Sequence, residues 1–365
     1  MKELQIEKNE VLNVTIDWKE IPRVKLANLP TKLEEMNKLT EKLNGPQLYI
    51  KRDDETGLAF GGNKVRKLEF ILADAIQQGA EIIITSGGAQ TNHGRLTAAA
   101  AVKLGLKPVI VLTDMEPDEY KGNLLLDYLL GTELHFVYGD PNLPKVERAM
   151  QSRLKGNEKV EEIREYYEKK GKKCYVVPRG GRSIQGTLGY LLATLEIYEQ
   201  VINQQLNIDY IVTPTGSTST LGSLLIGSKL FNTGIKPIGI SVSRGAEEIK
   251  DLVMEQIELV VNHFNLNISI DREEIVVFDD YIGPGYAIPS ESGIEAIKLL
   301  SSTESIFVDQ NYTGKAMAGL IDLVRKKYFT ENHSVLFLHT GGNPALFSIE
   351  DQLLRINSES AINSI

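Results

Sequence analysis

The sequence predicts an α/β protein with two doubly wound domains and mostly parallel sheets. First, the chain has 365 residues, 42% of them hydrophobic, which is enough for two buried cores. Second, short apolar runs rich in β-branched residues alternate with segments of helical periodicity, a pattern typical of parallel sheets covered by helices. Third, this alternation occurs twice along the chain, without internal repeats or low-complexity segments.

In the first half, a short proline-punctuated region precedes the first strand, and strands and helices then alternate. The predicted strands are Gln47–Lys51, Glu81–Thr85, Pro108–Thr113, Leu134–Tyr138 and Cys174–Val177. The predicted helices lie at about 64–79, 92–105 and 118–130. The charge-dense segment 144–172 has a helical period, and we expect it to form a pair of solvated surface helices.

The second half repeats the alternation after a glycine-rich loop. Ser183 is expected to cap a helix that runs to about residue 203. The predicted strands are Asp209–Thr213, Pro237–Val242, Glu274–Phe278 and Ser334–His339. The predicted helices lie at 219–231, 245–264, 291–302, 313–328 and 344–356.

Composition excludes several classes of function. The net charge is −9 and there is no basic stripe, so a nucleic-acid partner is not expected. The single cysteine, Cys174, excludes an internal disulfide, and the five histidines are not spaced as metal ligands, so no metal site is predicted. No apolar run has the length of a membrane span and the N-terminus has no apolar signal core, so we expect a soluble, cytoplasmic protein.

A basic segment at the start of the second helix is the first candidate site. Phe60-Gly-Gly-Asn-Lys-Val-Arg-Lys67 places Lys64 in or near the first helical turn. The positive end of a helix dipole lowers the pKa of an amine, and burial lowers it further. A lysine placed there is suited to attack a carbonyl carbon. The alternative is that all three cations of the segment are solvated.

Two segments between a strand and a helix are candidate anion sites. Ser86–His93 brings Thr91 and Asn92 to a helix start, which suits a carboxylate, although simple N-capping is an equal alternative. Thr213–Thr220 contains Thr215, Gly216, Ser217 and Thr218 before a helix, and hydroxyls at a helix start suit a phosphate. The alternative for this second segment is an ordinary hydroxyl-rich linker.

Two tyrosines stand in turns before helices. Tyr286 lies within Gly283–Pro289, and Tyr312 is followed directly by Thr313. The segment His339-Thr340-Gly-Gly-Asn343 follows the last predicted strand. From the residues alone, both tyrosines could equally serve as packing groups.

Together these five segments resemble one branch of the fold-type II pyridoxal-phosphate (PLP) enzymes, which contains D-cysteine desulfhydrases and 1-aminocyclopropane-1-carboxylate deaminases. The resemblance starts from Gly-Gly-Asn-Lys-x-Arg-Lys-Leu-Glu and covers most of the chain. It implies that Lys64 carries PLP as a Schiff base and acts as the base. It also implies a set of cofactor contacts: Asn92, Thr215, Gly216, Ser217, Thr218, Thr313 and Thr340. The implied substrate contacts are Thr91, Asn92 and His93, with Tyr286, Tyr312 and Thr91 assisting catalysis.

The resemblance also implies an architecture. Residues 1–62 and 187–365 would form a large PLP-binding domain, and residues 63–186 a small domain. PLP would lie in the cleft between them, and the substrate would be a small amino acid. A homodimer is expected, with no nucleic-acid or membrane partner.

One position departs from the family pattern, and two others distinguish members of this branch. Thr91 stands where the family usually has serine, which reshapes the substrate pocket because threonine adds a methyl group. The cyclopropane deaminases have glutamate where Thr313 stands and leucine where Thr340 stands. A neutral threonine at the pyridine nitrogen would leave the ring unprotonated, which suits β-elimination better than opening a cyclopropane.

The sequence therefore predicts conversion of D-cysteine to pyruvate, hydrogen sulfide and ammonia. A cyclopropane deaminase is one alternative. A lyase acting on another β-substituted amino acid, such as cysteate, D-serine or β-chloroalanine, is a second. A non-enzymatic phosphate- or nucleotide-binding module is the third, and such a module would have no use for a reactive amine at Lys64.

Overall fold

The computed structural model describes residues 16–285, 287–350 and 353. Within these ranges the chain forms ten strands. They are β1 (Leu33–Glu35), β2 (Gln47–Lys51), β3 (Ile82–Gly87), β4 (Lys107–Leu112), β5 (Glu133–Phe136), β6 (Cys174–Val176), β7 (Tyr210–Thr215), β8 (Lys236–Ser241), β9 (Val276–Phe278) and β10 (Ser334–Leu338).

Ten α-helices accompany these strands in the described ranges. They are α1 (Asn37–Leu43), α2 (Lys64–Gln77), α3 (Asn92–Lys103), α4 (Gly122–Leu129), α5 (Lys145–Glu168), α6 (Ile184–Asn203), α7 (Ser219–Leu230), α8 (Ala246–Phe264), α9 (Glu291–Glu304) and α10 (Thr313–Arg325). None of the described helices is both long and apolar enough to cross a membrane.

The strands form two sheets. The larger has the order β1-β2-β10-β7-β8-β9, and the smaller has the order β5-β4-β3-β6. β1 pairs with β2 in an antiparallel sense, and every other described pair is parallel. The α/β class predicted from the alternating pattern is therefore confirmed.

Helices bury both faces of each sheet. On one side of the larger sheet, apolar residues of α1, α9 and α10 form a continuous core with β2, β7 and β10. Apolar residues of α6, α7 and α8 form cores on the other side. In the smaller sheet, α2 and α3 cover one face and α5 covers the other. Because the strands are buried on both faces, they are near-continuous apolar runs, as parallel strands require.

The nine predicted strands are present, with bounds that differ by no more than two residues, but β1 and α1 were not predicted. β1 has only three residues and α1 only seven, and both follow the proline-punctuated region, which shows no clear period. Ser183 does cap α6, accepting a hydrogen bond from the amide of Gly186 at 3.0 Å. In place of the helix predicted at 344–356, residues Asn343–Ser348 form a 3-10 helix, and most of the remaining range lies outside the described residues.

The prediction of a solvated helix pair over 144–172 is wrong. The segment is one helix, α5, of 24 residues. Val160, Ile163 and Tyr167 are buried against the smaller sheet. Gly156 does not break the helix. A methyl group there would lie 2.7 Å from Cγ2 of Thr113, so glycine lets α5 pass close to the end of β4.

Candidate active site

Loops that follow four parallel strands converge between the two sheets. The segments are the loop before Lys64, the turn at 88–92 after β3, the turn at 216–218 after β7, and the loop at 339–343 after β10. A methyl group on Gly341 would lie 2.6 Å from Cα of Gly62, so these two backbones are in close contact. Crevices at the carboxyl ends of parallel strands are the usual ligand sites of open α/β sheets.

Lys64 is the first residue of α2, as predicted. Its Nζ donates a hydrogen bond to Oδ1 of Asn63 at 3.1 Å, and burial lowers the pKa of Lys64 to about 8. Asn63 in turn donates through Nδ2 to the Thr220 hydroxyl at 3.0 Å. Two hydrogen bonds therefore join the amine of Lys64 to the first turn of α7.

The hydroxyl-rich turn at the end of β7 has the features of an anion site. The hydroxyl of Thr215 is buried and makes no hydrogen bond to the described part of the chain. Thr218 has a φ of +65°, which is strained for a β-branched residue and costs about 1–3 kcal/mol. It stands directly before α7, whose first amides lack helical partners. Gly216 leaves space beside Val242, whose Cγ2 would lie 3.3 Å from an added methyl group.

Lys67 is a site residue that the sequence analysis did not assign. It is fully buried, and its Nζ finds no hydrogen-bond partner among the residues described. Burial, together with the charge of Lys64, holds its pKa well below the usual value. Its side chain packs on Gly181, 3.4 Å from the position of an added methyl group, while neighbouring Gly180 packs on Ser217. Lys67 thus lies behind the hydroxyl-rich turn. Its spacing of three residues from Lys64, which puts both on one helix face, was the available signal.

Asn92 is oriented by a chain of hydrogen bonds. Asn123 donates through Nδ2 both to the backbone carbonyl of Gln90, at 2.9 Å, and to Oδ1 of Asn92, at 2.7 Å. A backbone carbonyl only accepts, so it fixes which end of the Asn123 amide is the donor. The Oδ1 of Asn92 is then occupied, and its NH₂ group is left to face Gly342. Asn123 is a second residue that sequence patterns did not reveal.

Thr91 and His93 lie on either side of Asn92. Thr91 is the N-cap of α3, and its hydroxyl accepts the Gly94 amide at 3.1 Å, so the capping alternative is observed. The hydroxyl hydrogen of Thr91 is not used by that bond. His93 is buried with Nε2 2.9 Å from the Thr85 hydroxyl, which itself donates to the carbonyl of Val177. Nε2 therefore carries the hydrogen.

His93 presents an unusual environment for a titratable group. Its Nδ1 is buried and unpartnered within the described chain. Burial is the main reason that its pKa lies well below the usual value, and the charges of Lys64, Lys67 and Arg179 lower it further. The ring is therefore neutral.

The start of α10 and the loop after β10 form another wall of the cleft. Cε1 of Tyr312 lies 3.6 Å from the position of a methyl group added to Gly216, so this tyrosine borders the hydroxyl-rich turn. Thr313 is fully buried and is hydrogen-bonded to the carboxylate of Asp309 at 2.8 Å. The backbone carbonyl of Thr340 accepts the Asn63 amide at 3.0 Å, which brings the 339–343 loop next to Lys64.

Tyr286 lies outside the described residues. Lys315 of α10 holds the loop that precedes Tyr286. Its Nζ donates to the backbone carbonyls of Ile282 and Gly285 at 2.7 and 2.6 Å. No group of three or more His, Cys, Asp or Glu side chains that could hold a metal ion occurs in the described ranges.

Comparison with known proteins shows the family to which the chain belongs. Residues 24–341 match the protein family described as "Pyridoxal-phosphate dependent enzyme". The chain is 39% identical over 334 residues to proteins named D-cysteine desulfhydrase from Salmonella newport and Salmonella heidelberg, covering 90% of this chain and 96% of each relative. A solved structure described as an "ACC deaminase homologue" has a TM-score of 0.81 and 35% identity, and the match covers 93% of this chain and 97% of that one.

Proposed function

Because the chain belongs to the family of pyridoxal-phosphate dependent enzymes, we propose that it is a D-cysteine desulfhydrase, which releases pyruvate, hydrogen sulfide and ammonia. The observation that carries the proposal is the pair formed by a lysine of lowered pKa at a helix start and a hydroxyl-rich anion turn two hydrogen bonds away. The similarity to desulfhydrases over nearly their whole length supports this choice of reaction.

The residues present fit the cofactor at each of its polar groups. The unpartnered amine of Lys67 and hydroxyl of Thr215 suit a phosphate, together with the amides at the start of α7. The free NH₂ group of Asn92 suits the phenolic oxygen, and Thr313 suits the ring nitrogen. When bound, PLP supplies the electron sink that stabilises negative charge at the substrate Cα.

The chain's own residues then bind the substrate and move its proton. The start of α3, with the hydroxyl hydrogen of Thr91, suits the substrate carboxylate. Lys64 would hold the cofactor, and its amine would accept the Cα proton, a role that its lowered pKa favours near neutral pH. Tyr312 and Tyr286 are proposed to orient the substrate. With Lys64 as the base, the hydrosulfide group leaves from Cβ.

The domain division, assembly and location belong to the same proposal. Residues 1–62 with 187–365 form the large domain, and residues 63–186 the small one. The separate sheets, with the four strands of residues 82–176 in one of them, support this division. We propose that the protein is cytoplasmic and forms a homodimer. Light scattering of the purified protein would test the dimer.

Borohydride reduction of the purified protein tests the lysine assignment. The cofactor should become fixed to the peptide that contains Lys64, and Lys64→Ala should lose both the label and the turnover while keeping its fold by circular dichroism. Lys315→Ala is not a suitable control because that amine holds the 282–285 loop. Exposed Lys42→Ala is suitable, and it should retain both label and activity. A label on any other lysine would refute the assignment.

A cyclopropane deaminase is the second candidate, because a structure described as an ACC deaminase homologue has a TM-score of 0.81 to this chain. A panel of D- and L-amino acids, scored for keto acid and ammonia, would separate the two. The panel includes cysteate, D-serine, β-chloroalanine and the cyclopropane amino acid. The proposal requires D-cysteine to react fastest.

A further inference from the structure

A buried carboxylate lies directly behind Thr313. Asp309 is fully buried, and its Oδ1 accepts hydrogen bonds from the amides of Tyr312 and Thr313, at 3.0 and 2.6 Å, and from the Thr313 hydroxyl, at 2.8 Å. Its Oδ2 accepts no hydrogen bond from the residues that the structure describes. These three hydrogen bonds use only one oxygen, so they do not account for the other.

The hydroxyl of Thr313 is committed by this arrangement. It accepts the Asp309 amide at 2.9 Å, and its hydrogen points to the Asp309 carboxylate at 2.8 Å, a stronger acceptor than the Gly341 carbonyl at 3.4 Å. A hydroxyl has one hydrogen and two lone pairs. Toward a ligand, Thr313 therefore offers a lone pair and no hydrogen, which fits an N–H group and does not fit a bare ring nitrogen.

Asp309 has room to act in this way. Burial raises the pKa of its carboxyl, and the hydrogen bonds from Thr313 and Tyr312 oppose that shift. A methyl group on Gly342, which has a φ of +105°, would lie 2.6 Å from Oδ2, so only glycine leaves space there. The same methyl group would lie 2.8 Å from Nδ2 of Asn92, so Asp309 and Asn92 border a common space. The buried guanidinium of Arg95 interacts electrostatically with Asp309.

We propose that Asp309 is a positioning residue that, through the Thr313 hydroxyl, keeps the pyridine nitrogen of the bound cofactor protonated. This inference rests on the proposed function, since it requires PLP in the cleft. It replaces the expectation from sequence that a threonine at this position leaves the ring unprotonated. The neutral threonine transmits the charge of a carboxylate that the local motif does not contain.

The test measures the ring directly. Apo-protein is reconstituted with PLP labelled with ¹⁵N in the ring, and the pyridine ¹⁵N chemical shift is recorded by NMR. The wild type should show a protonated ring. Asp309→Asn keeps an oxygen for the two amides but removes the charge, and should show a neutral ring. Asp209→Asn is the matched control, since Asp209 also accepts a backbone amide but lies at the opposite end of β7. The cofactor ring bound to this control variant should stay protonated.

A second variant covers the case in which Asp309→Asn does not fold. Thr313→Val leaves the carboxylate and its two amide bonds in place and removes only the connecting hydroxyl, so it should also give a neutral ring. The wild type should bind PLP about tenfold or more tightly than the analogue with C–H in place of the ring nitrogen, and Thr313→Val should lose that preference.

The outcomes separate this inference from the proposed function. A neutral ring in the wild type, or a protonated ring in both Asp309→Asn and Thr313→Val, overturns the inference while leaving the enzyme assignment intact. Failure of borohydride to fix PLP on Lys64 of the wild type overturns the proposed function itself. A protonated ring that is lost in both variants and kept in Asp209→Asn establishes the role of Asp309.

Discussion

The ammonium group of Lys67 lies 5.6 Å from the centre of the Tyr190 ring, and in the described chain it has no hydrogen-bond partner. The Tyr190 hydroxyl donates to Asp53 at 2.6 Å, and Asp53 is paired with Arg66. Two adjacent residues of α2 thus differ in their partners. Arg66 forms ion pairs with carboxylates, whereas Lys67 has no hydrogen-bond partner among the described residues and lies beside the hydroxyl-rich turn. A buried amine in this position suits an anionic group of a ligand.

Lys67→Met should therefore stabilise the apo-protein while weakening PLP binding. Removal of an unpaired buried amine recovers roughly 1–3 kcal/mol of unfolding free energy. Lys51→Met is the matched comparison, because Lys51 is equally buried but donates to Thr31, Glu196 and Gln200. Its loss leaves Glu196 short of a partner and should cost about 3–5 kcal/mol.

Urea unfolding of both apo-variants measures the first effect, and titration with PLP measures the second. If Lys67→Met destabilises the apo-protein as Lys51→Met does, then Lys67 has a structural role. If it stabilises the protein and leaves PLP affinity unchanged, the phosphate is held elsewhere.

Two buried aspartates should make the stability respond to pH in opposite directions. Asp127 has both carboxylate oxygens unpartnered among the described residues, and burial, opposed by Arg95, raises its pKa from 3.8 to about 8. The folded state then binds more protons than the unfolded state between about pH 4 and pH 8, so this group lowers stability as pH rises through that window. Above pH 8 the contribution is constant.

Asp53 behaves in the opposite way. It is as deeply buried, but Arg66 is the main charge that lowers its pKa below 3.8, against the cost of burial. The ionised Asp53 carboxylate therefore adds to the free energy of unfolding above the pKa that the group has in the unfolded chain. This stabilisation is lost as pH falls below about 4. Difference unfolding curves of Asp127→Asn and Asp53→Asn against the wild type, measured on apo-protein from pH 3 to pH 9, should show these two windows. A pH-independent difference for Asp127→Asn would refute its raised pKa.

Much of the fold and of the candidate site was predictable because it depends on local patterns. The start of α2 at Lys64, the Ser183 cap and the hydroxyl-rich turn before α7 are all encoded within a few consecutive residues. The positions not predicted depend on partners distant in the sequence. The sequence alone does not show that α6 covers Lys67 and buries its amine. It also does not show that α4 packs against the turn at 88–92, where Asn123 hydrogen-bonds to Asn92.

The role of Asp309 was hidden for a related reason. An aspartate four residues before Thr313 has no distinctive pattern in the sequence. Its second oxygen becomes notable only when the left-handed backbone at Gly342 lies beside it. The single helix α5 was missed because its apolar residues are sparse among charges. Of its described apolar side chains only three, Val160, Ile163 and Tyr167, are buried.

The hydroxyl-rich turn can be tested at Gly216. Valine at this position adds methyl groups between Val242, 3.3 Å from the new Cβ, and Tyr312, 3.6 Å away, in the space proposed for the phosphate. PLP affinity should fall at least tenfold while the protein stays folded. Gly245→Ala is the matched control: it also precedes a helix, and its added methyl group meets only Asp279, at 3.8 Å. Unchanged PLP affinity in folded Gly216→Val would exclude the turn as the phosphate site.

The last prediction concerns the choice between desulfhydration and cyclopropane opening. A glutamate at position 313 would contact the ring nitrogen directly, and an adjacent opposite charge raises that nitrogen's pKa more than one acting through a hydroxyl. Ring opening needs a ring nitrogen that stays protonated throughout the reaction, because the cyclopropane substrate has no α-proton to remove. Thr313→Glu with Thr340→Leu should therefore raise cyclopropane opening above its baseline and lower desulfhydration of D-cysteine.

The structure adds a condition to this exchange. Glutamate at 313 would stand beside the buried carboxylate of Asp309, and two close carboxylates do not both ionise readily. The gain should therefore be larger in the triple variant that also carries Asp309→Asn. The measurement is kcat/KM for both substrates in the wild type, the two single variants, the double and the triple. A wild type that opens the cyclopropane faster than it desulfhydrates D-cysteine would contradict the assignment from these positions. If only another β-substituted amino acid reacts, the lyase chemistry stands, and Thr91→Ser becomes the variant to assay first, because the methyl group of Thr91 is what distinguishes this pocket from a serine-bearing one.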